Sequence, residues 1–369
     1  METPYYLLDE GKFECNLRKL AAVRRRAGVK ILLAQKAFSC YALYPLIARY
    51  LDGTTASGVF EARLAHEEMP DRENHVFNPA FTVEEVREVT QWCDHIVFNS
   101  VGQWRRFRSF PGLPSAGLRV NPGYSEVEHE IYNPCAPGSR LGVPRNFISE
   151  GDLEGLEGLH FHTMCEQGAD VLARTLPHFE RLFGNLLPRM KWVNFGGGHH
   201  ITKRGYDVDL LVETLKDFRR RHPWLEVYLE PGEAVALNAG TLVASVRELI
   251  DYGTPIAILD ASAECHMPDV LAMPYRPNIH GAGAPGEKRF TYRLGGPTCL
   301  AGDVIGDYSF SHPLRLGDKL IFQDMAIYSF VKNNTFNGIP LPAIALRTKD
   351  GEIRPLREFS YEDFKSRLG

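Results

Sequence analysis

The chain has 369 residues, of which 44% are hydrophobic, so it is long enough to bury one large core and a smaller one in two domains. Its formal net charge of −4, with acidic and basic residues interspersed, offers no basic stripe for nucleic acid and permits a cationic ligand. The seven cysteines are scattered and include no C-x-x-C pair, which argues against a disulfide framework and against a zinc cluster.

The sequence also gives no sign of a membrane partner or of export. The N-terminal stretch METPYYLLDEGKFECNLRKL lacks the basic start and the apolar run of a signal peptide. No later segment reaches the roughly 20 apolar residues that a membrane-spanning helix needs. Together with the scattered cysteines, these features predict a protein of the reducing cytoplasm.

Short β-rich runs, each followed by a helix-like stretch, recur up to residue 230. Strands are predicted at residues 30–36, 53–57, 75–79, 95–99, 118–122, 158–162, 191–195 and 226–230. The helices predicted between them include CYALYPLIARYL, FEARLAHEE, TVEEVREVTQW and DLLVETLKDFRRR. Eight repeats of strand and helix predict a closed parallel barrel of the (β/α)8, TIM-like kind over residues 11–235.

After Pro231 the pattern changes to alternating runs without long helices. The runs are TLVASVREL, PIAILDAS, KRFTYRLGG, DKLIFQD and PAIALRTK. This pattern predicts an antiparallel β domain over residues 236–369. The opening segment, residues 1–10, contains the strand-like TPYYLLDE and is expected to join that domain.

Enzymes built on such barrels carry their functional residues at the C-terminal ends of the strands. The predicted strand ends place seven residues at that edge: Lys36, Ser57, Asn78, Asn99, His162, Gly196 and Glu230. One lysine, one histidine, one acid and the start of a glycine run suit a phosphorylated, pyridine-based cofactor.

Lys36 follows the apolar run ILLAQ and is expected where the barrel opens. Partial desolvation at such a place lowers the pKa of an amine and favours imine chemistry. A surface lysine with its amine in water is the alternative, and for a lysine taken alone it is the better interpretation.

Gly196, Gly197 and Gly198 follow the seventh strand, where barrel enzymes often bind phosphate through main-chain N–H groups. Their spacing matches neither GxGxxG nor the P-loop, and a tight turn explains the triplet equally well. Glu230 ends the eighth strand, where a carboxylate aimed at a pyridine nitrogen would keep that nitrogen protonated. A salt bridge at the barrel rim is the alternative for Glu230.

Four histidines lie near these positions. His160 and His162 are two apart on a predicted strand and so face the same side, while His199 and His200 follow the glycines. A metal site is conceivable, but strand histidines are often hydrogen-bonded core residues, and the lysine and glycine run require a cofactor of different chemistry. The sequence therefore predicts pyridoxal 5'-phosphate (PLP) and no metal.

Taken together, these residues resemble the PLP-dependent decarboxylases of the alanine-racemase type, which include ornithine, diaminopimelate and carboxynorspermidine decarboxylases. The segment AQKA carries the lysine that would hold PLP as a Schiff base, and GLHFHTMC resembles the segment whose histidine stacks on the PLP ring. NFGGGHH resembles the phosphate loop, and LEPGE, which contains Gly232, resembles the strand whose glutamate meets the pyridine nitrogen. The resemblance implies catalytic roles for Lys36, His162 and Glu230.

Two further segments of the resemblance lie in the predicted β domain. GGPTCLAGD resembles the segment that bears a catalytic cysteine donated across a dimer interface, which implies Cys299 and a homodimer with shared active sites. DMAIYSF followed by FNG resembles the closing motif in which a tyrosine touches the phosphate, which implies Tyr328. The segments follow the family's order over most of the chain, which makes the resemblance specific.

Departures from the family's pattern bear on the substrate. Ornithine and diaminopimelate enzymes usually have E-P-G-R, whereas Glu233 here replaces the arginine and adds a negative charge that suits a substrate with extra ammonium groups. Cys165 stands in place of a phosphate-binding serine and is kept as a cofactor contact. Leu300 takes the place of an acid that ornithine enzymes use to hold the distal amine.

With GGGHHITKRGYD and DASAECHMPDVLAMPYR, this set looks closest to the carboxynorspermidine and carboxyspermidine decarboxylases, so a carboxylated polyamine is the expected substrate. Glu233 and Asp269 are the preferred ligands for the polyamine nitrogens, and Asp303 is a further substrate-binding candidate. A solvated loop acid is the alternative for Asp269. The resemblance also implies that Cys299 of the partner subunit protonates the α-carbon after decarboxylation.

Two rival functions stay open. A diaminopimelate decarboxylase would need a cationic grip on a second carboxylate, which Arg276 or Arg204 would supply, although Glu233 argues against it. The other rival is a catalytically silent, ornithine-decarboxylase-like regulator that only binds a partner protein. Retention of the whole catalytic set argues against a silent regulator.

Overall fold

The computed structural model describes all of residues 1–369, which divide into two compact units. One unit comprises residues 14–235 and holds a parallel barrel. The other comprises residues 1–13 and 236–369 and holds a separate sheet. None of the helices combines the length and the apolar character that crossing a membrane requires.

The elements are numbered in chain order. The strands are β1 (Tyr5–Asp9), β2 (Lys30–Ala34), β3 (Gly53–Ala56), β4 (Glu73–Asn78), β5 (His95–Phe98), β6 (Ser115–Asn121), β7 (Val143–Pro144), β8 (Gly158–His160), β9 (Trp192–Asn194), β10 (Glu226–Leu229), β11 (Gly240–Asp251), β12 (Pro255–Leu259), β13 (Phe290–Gly295), β14 (Val304–Phe310), β15 (Lys319–Gln323), β16 (Ala343–Arg347) and β17 (Ile353–Arg357). The α-helices are α1 (Glu10–Ala27), α2 (Tyr44–Ile47), α3 (Val59–Glu68), α4 (Val83–Val89), α5 (Val101–Phe107), α6 (Ala169–Phe183), α7 (Val208–Arg221), α8 (Glu233–Ala236), α9 (Ala263–His266), α10 (Asp269–Ala272), α11 (Ser329–Lys332) and α12 (Tyr361–Lys365).

Eight parallel strands form the barrel. Neighbours follow the order β2, β3, β4, β5, β6, β8, β9 and β10, and β10 pairs with β2 to close the ring. Strand β7 adds only a two-residue pairing to β6. Parallel neighbours need a crossover connection, which the intervening helices and loops supply. The predicted (β/α)8 barrel is confirmed.

The observed strands differ from the predicted ones mainly at their ends. Strand β2 ends at Ala34, so Lys36 lies in the turn that follows it. Strand β8 ends at His160, so His162 lies beyond the strand that was predicted to carry both histidines. These two side chains are therefore carried by loops at the C-terminal edge of the barrel, where functional residues of this fold are expected.

Local sequence explains where the barrel helices begin. In α4 the Thr82 side chain accepts a hydrogen bond from the Glu85 N–H, and the Glu85 carboxylate accepts one from the Thr82 N–H, which forms a capping box. The helix predicted at CYALYPLIARYL is shorter than expected, because only a 3-10 turn and the four-residue α2 form there. Pro45 lacks an N–H and suits a first helical turn but not a helix interior.

An indole ring fills the barrel interior near the N-terminal ends of the strands. Trp192 on β9 is buried, and its Nε1 donates to Ser115 Oγ at 2.9 Å. A β-carbon at Gly117 or at Gly158 would collide with that ring. The two neighbouring strands β6 and β8 therefore carry glycine where the ring passes, and the barrel interior is packed rather than hollow.

The second unit holds an eight-stranded sheet in the order β14, β13, β12, β11, β1, β16 and β17, with β15 also paired to β11. Most pairings are antiparallel, as predicted, but the β1–β16 and β12–β13 pairings are parallel. Strand β1 is central, and its Tyr6 is buried with its hydroxyl donating to the His266 carbonyl at 2.6 Å. The N-terminal segment thus pairs with the C-terminal strands of this unit.

Candidate active site

The C-terminal edge of the barrel brings together most of the residues predicted from the sequence. Lys36 is solvent-accessible, as an amine that meets a cofactor must be, yet protein atoms surround it closely. Desolvation lowers the pKa of its amine, and the Arg119 guanidinium lowers it further. Nearby carboxylates, among them Glu230 and Glu61, oppose that shift without reversing it. A larger share of neutral amine at neutral pH suits imine formation.

Glu230 follows β10 directly and is held by two barrel residues. Its Oε1 accepts a hydrogen bond from Asn194 Nδ2 at 2.7 Å, and its Oε2 lies 3.2 Å from His160 Nε2. Burial lowers the pKa of His160, so the ring is neutral at pH 7 and stabilises the carboxylate by hydrogen bonding. Although burial alone would raise it, the pKa of Glu230 lies well below its usual value because of these contacts. The carboxylate is therefore ionised and fixed in direction.

His162 is oriented by the glycine loop. Its Nδ1 accepts the Gly197 N–H at 3.0 Å, which places the ring proton on Nε2. Burial, followed by the charge of Lys36, lowers the pKa of His162 well below its usual value. A neutral, flat ring held by the main chain is suited to stack on an aromatic cofactor.

Gly196, Gly197 and Gly198 are glycines because the chain passes close to itself. Gly196 and Gly198 have φ of 70° and 84°, which side chains rarely adopt. A β-carbon would lie 2.5 Å from the Phe161 carbonyl oxygen at Gly196 and 2.5 Å from the Glu230 carbonyl oxygen at Gly197. At Gly198 it would collide with the Met164 carbonyl.

The same loop leaves two main-chain donors for an anion. The Gly196 N–H donates to Asn194 Oδ1 at 2.8 Å, and the Gly197 N–H is taken by His162. The N–H groups of Gly198 and His199 donate to no acceptor in the chain. Adjacent unpaired N–H groups at the end of a barrel strand match the phosphate-binding role predicted for this loop. Within the loop, the donors free to bind a phosphate are those of Gly198 and His199.

Cys165 and Gly232 lie beside this edge with different roles. Burial, followed by the charges of Glu166 and Glu233, raises the pKa of the Cys165 thiol to about 11, so it stays protonated. A β-carbon at Gly232 would lie 2.6 Å from that of Ala37, so glycine there lets the loop after β10 approach the loop after β2. The cofactor contacts predicted for both remain predictions.

Glu233 is the first residue of α8 and is partly exposed. Its Oε1 lies 3.4 Å from His200 Nε2, and its charge influences the Cys165 thiol. The carboxylate therefore lies on the cofactor side of the barrel edge, where its contact with a polyamine was predicted.

Two charged residues of this site were missed in the sequence. Arg119 on β6 is 5% exposed, lies with its guanidinium carbon 4.6 Å from the Phe77 ring centroid and donates to the His162 carbonyl at 3.3 Å. Glu61 on α3 accepts the Ser57 N–H at 2.6 Å and acts on Lys36 through its charge. The only sequence signal for Arg119 is a charged residue inside an apolar strand. Glu61 gives no signal, because it lies on a helix and not at a strand end, where functional residues were sought.

The second unit carries the remaining predicted residues. Cys299 is exposed in the turn between β13 and β14, and its N–H donates to Asn337 Oδ1 at 2.7 Å. Tyr328 and Asn337 have φ of 56° and 57°. A bulky residue in the left-handed region is strained, and such strain often marks a functional site. The structure thus joins the cysteine segment to the FNG motif.

Asp303 and Asp269 are both engaged inside this unit. Asp303 is 4% exposed and accepts hydrogen bonds from Ser262 Oγ at 2.9 Å and Thr298 Oγ1 at 2.7 Å, and from the Ala263 N–H at 2.8 Å. This geometry favours a structural role for Asp303 over its predicted substrate contact. Asp269 is not a solitary loop acid, because it forms an ion pair with Lys332.

Comparisons with known proteins agree with this arrangement. A family model described as pyridoxal-dependent decarboxylase, C-terminal sheet domain, matches residues 6–326. A carboxynorspermidine/carboxyspermidine decarboxylase of Campylobacter jejuni is 45% identical, with 100% of this chain and 98% of the relative covered. A carboxyaminopropylagmatine decarboxylase of Synechocystis is 42% identical, with 100% and 96% covered. The crystal structure of the Campylobacter jejuni carboxynorspermidine decarboxylase complexed with norspermidine has a TM-score of 0.93 at 44% identity, with 100% of both chains covered.

Proposed function

Because this chain belongs to the pyridoxal-dependent decarboxylases, we propose that it removes the α-carboxyl group of carboxynorspermidine, carboxyspermidine or both, giving norspermidine or spermidine and carbon dioxide. The observation that carries the proposal is the 45% identity, over the full length, to an enzyme of that name. The barrel edge supports it, because it offers an amine, a fixed carboxylate and two unpaired N–H groups.

PLP is the cofactor of this family, and the residues at the barrel edge fit it. Lys36 would hold its aldehyde carbon, Glu230 its pyridine nitrogen, and the N–H groups of Gly198 and His199 its phosphate. When bound, PLP supplies an electron sink for the negative charge that departing carbon dioxide leaves on the α-carbon.

The chain's own residues set the protonation states that this chemistry needs. The ionised Glu230 would keep a proton on the pyridine nitrogen, and Asn194 and His160 keep its carboxylate in one direction. The neutral ring of His162 would cover one face of the cofactor. The lowered pKa of Lys36 lets its amine give way to the substrate's amine and return afterwards.

The proton that replaces the carboxyl group is assigned to Cys299. We propose that its thiol reaches the active site of a partner subunit in a homodimer, as the family resemblance implies. The exposed position of Cys299, fixed through its main chain by Asn337, supports a thiol that acts outside its own unit. A silent regulator would have no need of this thiol together with Lys36.

We further propose that the enzyme works in the cytoplasm. All seven cysteines are free thiols, which is usual for proteins of a reducing compartment.

A polyamine substrate needs carboxylates for its ammonium groups, because a buried charge without a partner is costly. Glu233 is the proposed ligand near the cofactor, and its place beside Cys165 supports that role. Asp269 is the second proposed ligand, and it would share its charge with Lys332. A second carboxylate, as in diaminopimelate, would be repelled by Glu233, and Arg276 is already held by the Gly283 and Asp307 carbonyls.

The 42% identity to a carboxyaminopropylagmatine decarboxylase supports a second candidate substrate. Carboxyaminopropylagmatine ends in a guanidinium group instead of an ammonium group, and a carboxylate binds either cation. The same catalytic residues would serve it, so only the distal end of the pocket distinguishes the two functions.

Product analysis tests the proposal. Holoenzyme incubated separately with carboxynorspermidine, carboxyspermidine, carboxyaminopropylagmatine and diaminopimelate should give the highest kcat/KM with one of the first two. A higher kcat/KM with carboxyaminopropylagmatine would favour the second candidate. Turnover of diaminopimelate alone would overturn both.

A further inference from the structure

A second group of chemically competent side chains lies at the opposite, N-terminal end of the barrel. Glu73 and His75 are two apart on β4, so their side chains share a face of that strand. His95 begins β5, and the strand register places it directly beside His75. Lys36 and Glu230 follow the C-terminal ends of their strands, so this cluster is separate from the candidate active site.

The three side chains converge on one another. The rings of His75 and His95 stack with centroids 4.0 Å apart, and Glu73 Oε2 lies 3.0 Å from His75 Nε2. One ligand atom from each of the three residues lies within 4.8 Å of the other two. Tetrahedral zinc with bonds of about 2.1 Å needs ligand atoms about 3.4 Å apart, so small side-chain rotations would close the site.

We propose that Glu73, His75 and His95 form a binding site for a divalent transition-metal ion, with zinc as the best match. Two imidazoles and one carboxylate are a donor set that suits zinc, with one position open to water.

Two buried nitrogen atoms of the cluster support this proposal. His75 is 1% exposed, and the Nδ1 atoms of both histidines are buried with no hydrogen-bond partner in the chain. A buried polar atom without a partner is costly, and a bound metal ion would supply the missing partner.

Glu73 gives the cluster contact with solvent, because its side chain is 25% exposed.

Lys30 is the built-in competitor for the metal. Its ammonium group forms an ion pair with Glu73 and lies 2.9 Å from Glu226 Oε2. A bound metal ion would share Glu73 with Lys30 or leave Lys30 to Glu226. Removing the Lys30 charge should therefore strengthen metal binding, whereas a purely structural cluster would only lose stability.

Cobalt and zinc binding to the dialysed holoenzyme tests the site without using activity. We expect about one Co2+ per chain with the visible d–d absorption of a tetrahedral site, displaced by Zn2+ in calorimetry. His95→Gln and Glu73→Gln should each weaken Zn2+ binding at least about tenfold, since loss of a ligand typically costs that much or more. Lys30→Gln should tighten it.

The exposed His129 lies in the same unit and supplies the matched control, so His129→Gln should bind zinc as the parent does. Glu73 and His95 are both partly exposed, so each variant remains informative if the other fails to fold. Two results would overturn the proposal: no d–d band in the parent protein, or zinc affinity that neither ligand variant reduces.

Discussion

Lys30 and Lys36 lie at opposite ends of strand β2, and their surroundings shift their pKa values in opposite directions. Lys30 begins β2 and is paired with carboxylates; although burial opposes it, those hydrogen bonds raise its pKa. Lys36 follows the same strand, and burial together with Arg119 lowers its pKa. The charge of Lys30 therefore stabilises the fold, whereas a charge on Lys36 destabilises it. A reactive residue is often placed where it does not help stability.

Replacing each lysine should separate these roles. Lys36→Ala should abolish turnover and the visible absorption of lysine-bound cofactor, while the free energy of unfolding of the cofactor-free protein stays the same or rises. Lys30→Ala, the matched control, should lower that free energy because Glu73 and Glu226 lose their shared ion-pair partner. Urea denaturation and absorption spectra measure both. Near-normal turnover in Lys36→Ala would contradict the PLP assignment.

Glu233 is the residue on which the proposed substrate preference rests. Glu233→Gln should weaken productive binding by about 1.5 to 3 kcal/mol, the scale of a lost charged hydrogen bond, seen as a fall in kcat/KM of roughly 10 to 150 times. Asp269→Asn should cost less, because Lys332 already shares the charge of Asp269. The cofactor absorption should change little in either variant. Unchanged kcat/KM for carboxynorspermidine in Glu233→Gln would remove Glu233 from the substrate site.

At the scale of elements, the loop after β9 is the most constrained segment of the barrel edge. It serves His162 through one N–H, keeps two N–H groups unpaired, and passes within collision distance of the loop after β8. Its geometry therefore depends on glycine for space as well as for conformation.

Two glycines of similar conformation allow that claim to be tested. Gly198 and Gly205 have φ of 84° and 82°, but only Gly198 would bring a β-carbon into collision with its surroundings. Gly205→Ala should cost about 1 to 2 kcal/mol of stability from backbone strain alone. Gly198→Ala should cost at least about 1 kcal/mol more and weaken cofactor binding. Equal losses in urea denaturation would show that space does not matter there.

The sequence located the barrel elements better than their contacts. Alternation and strand ends indicated Lys36 and Glu230, because these depend on local pattern. Asn194 and His160 come to Glu230 only through the pairing of β8, β9 and β10, and pairing register is not visible in a single sequence. The hydrogen bond from Ser262 to Asp303 is invisible in the sequence for the same reason, since the two residues lie 41 positions apart.

At the scale of the whole molecule, the proposed shared site makes a quantitative prediction. Mixing Lys36→Ala with Cys299→Ala subunits should restore up to about 25% of activity, since half of the randomly formed dimers contain one intact site of two. Mixing Lys36→Ala with His162→Ala is the matched control and should restore nothing, because both changes disable the barrel. No recovery in the first mixture, with subunit exchange demonstrated, would count against shared sites.

Buried histidines in both units should make the protein sensitive to acid. Burial lowers the pKa of His266 to about 4 and that of His199 to about 4. The unfolded chain therefore binds protons first as the pH falls, so stability drops between pH 6.5 and about 4 and levels off below. Each such histidine contributes at most about 1.4 kcal/mol per pH unit.

Urea denaturation across that pH window measures the effect. His266→Gln is expected to be less stable at neutral pH, since its ring accepts the Ser262 N–H and contacts the Pro340 carbonyl. The stability of this variant should nevertheless fall less steeply as the pH decreases, because one proton fewer is taken up on unfolding. An unchanged slope would mean that His266 does not titrate during unfolding.

The indole of Trp192 has an evolutionary consequence. A larger residue at Gly117 or Gly158 collides with the ring, while a smaller residue at Trp192 leaves a void that typically costs about 3 to 5 kcal/mol. Each single change is therefore disfavoured on its own, although a smaller ring combined with a larger neighbour would fill the same volume. Across the family, these three positions should covary, and the order in which they change should be restricted.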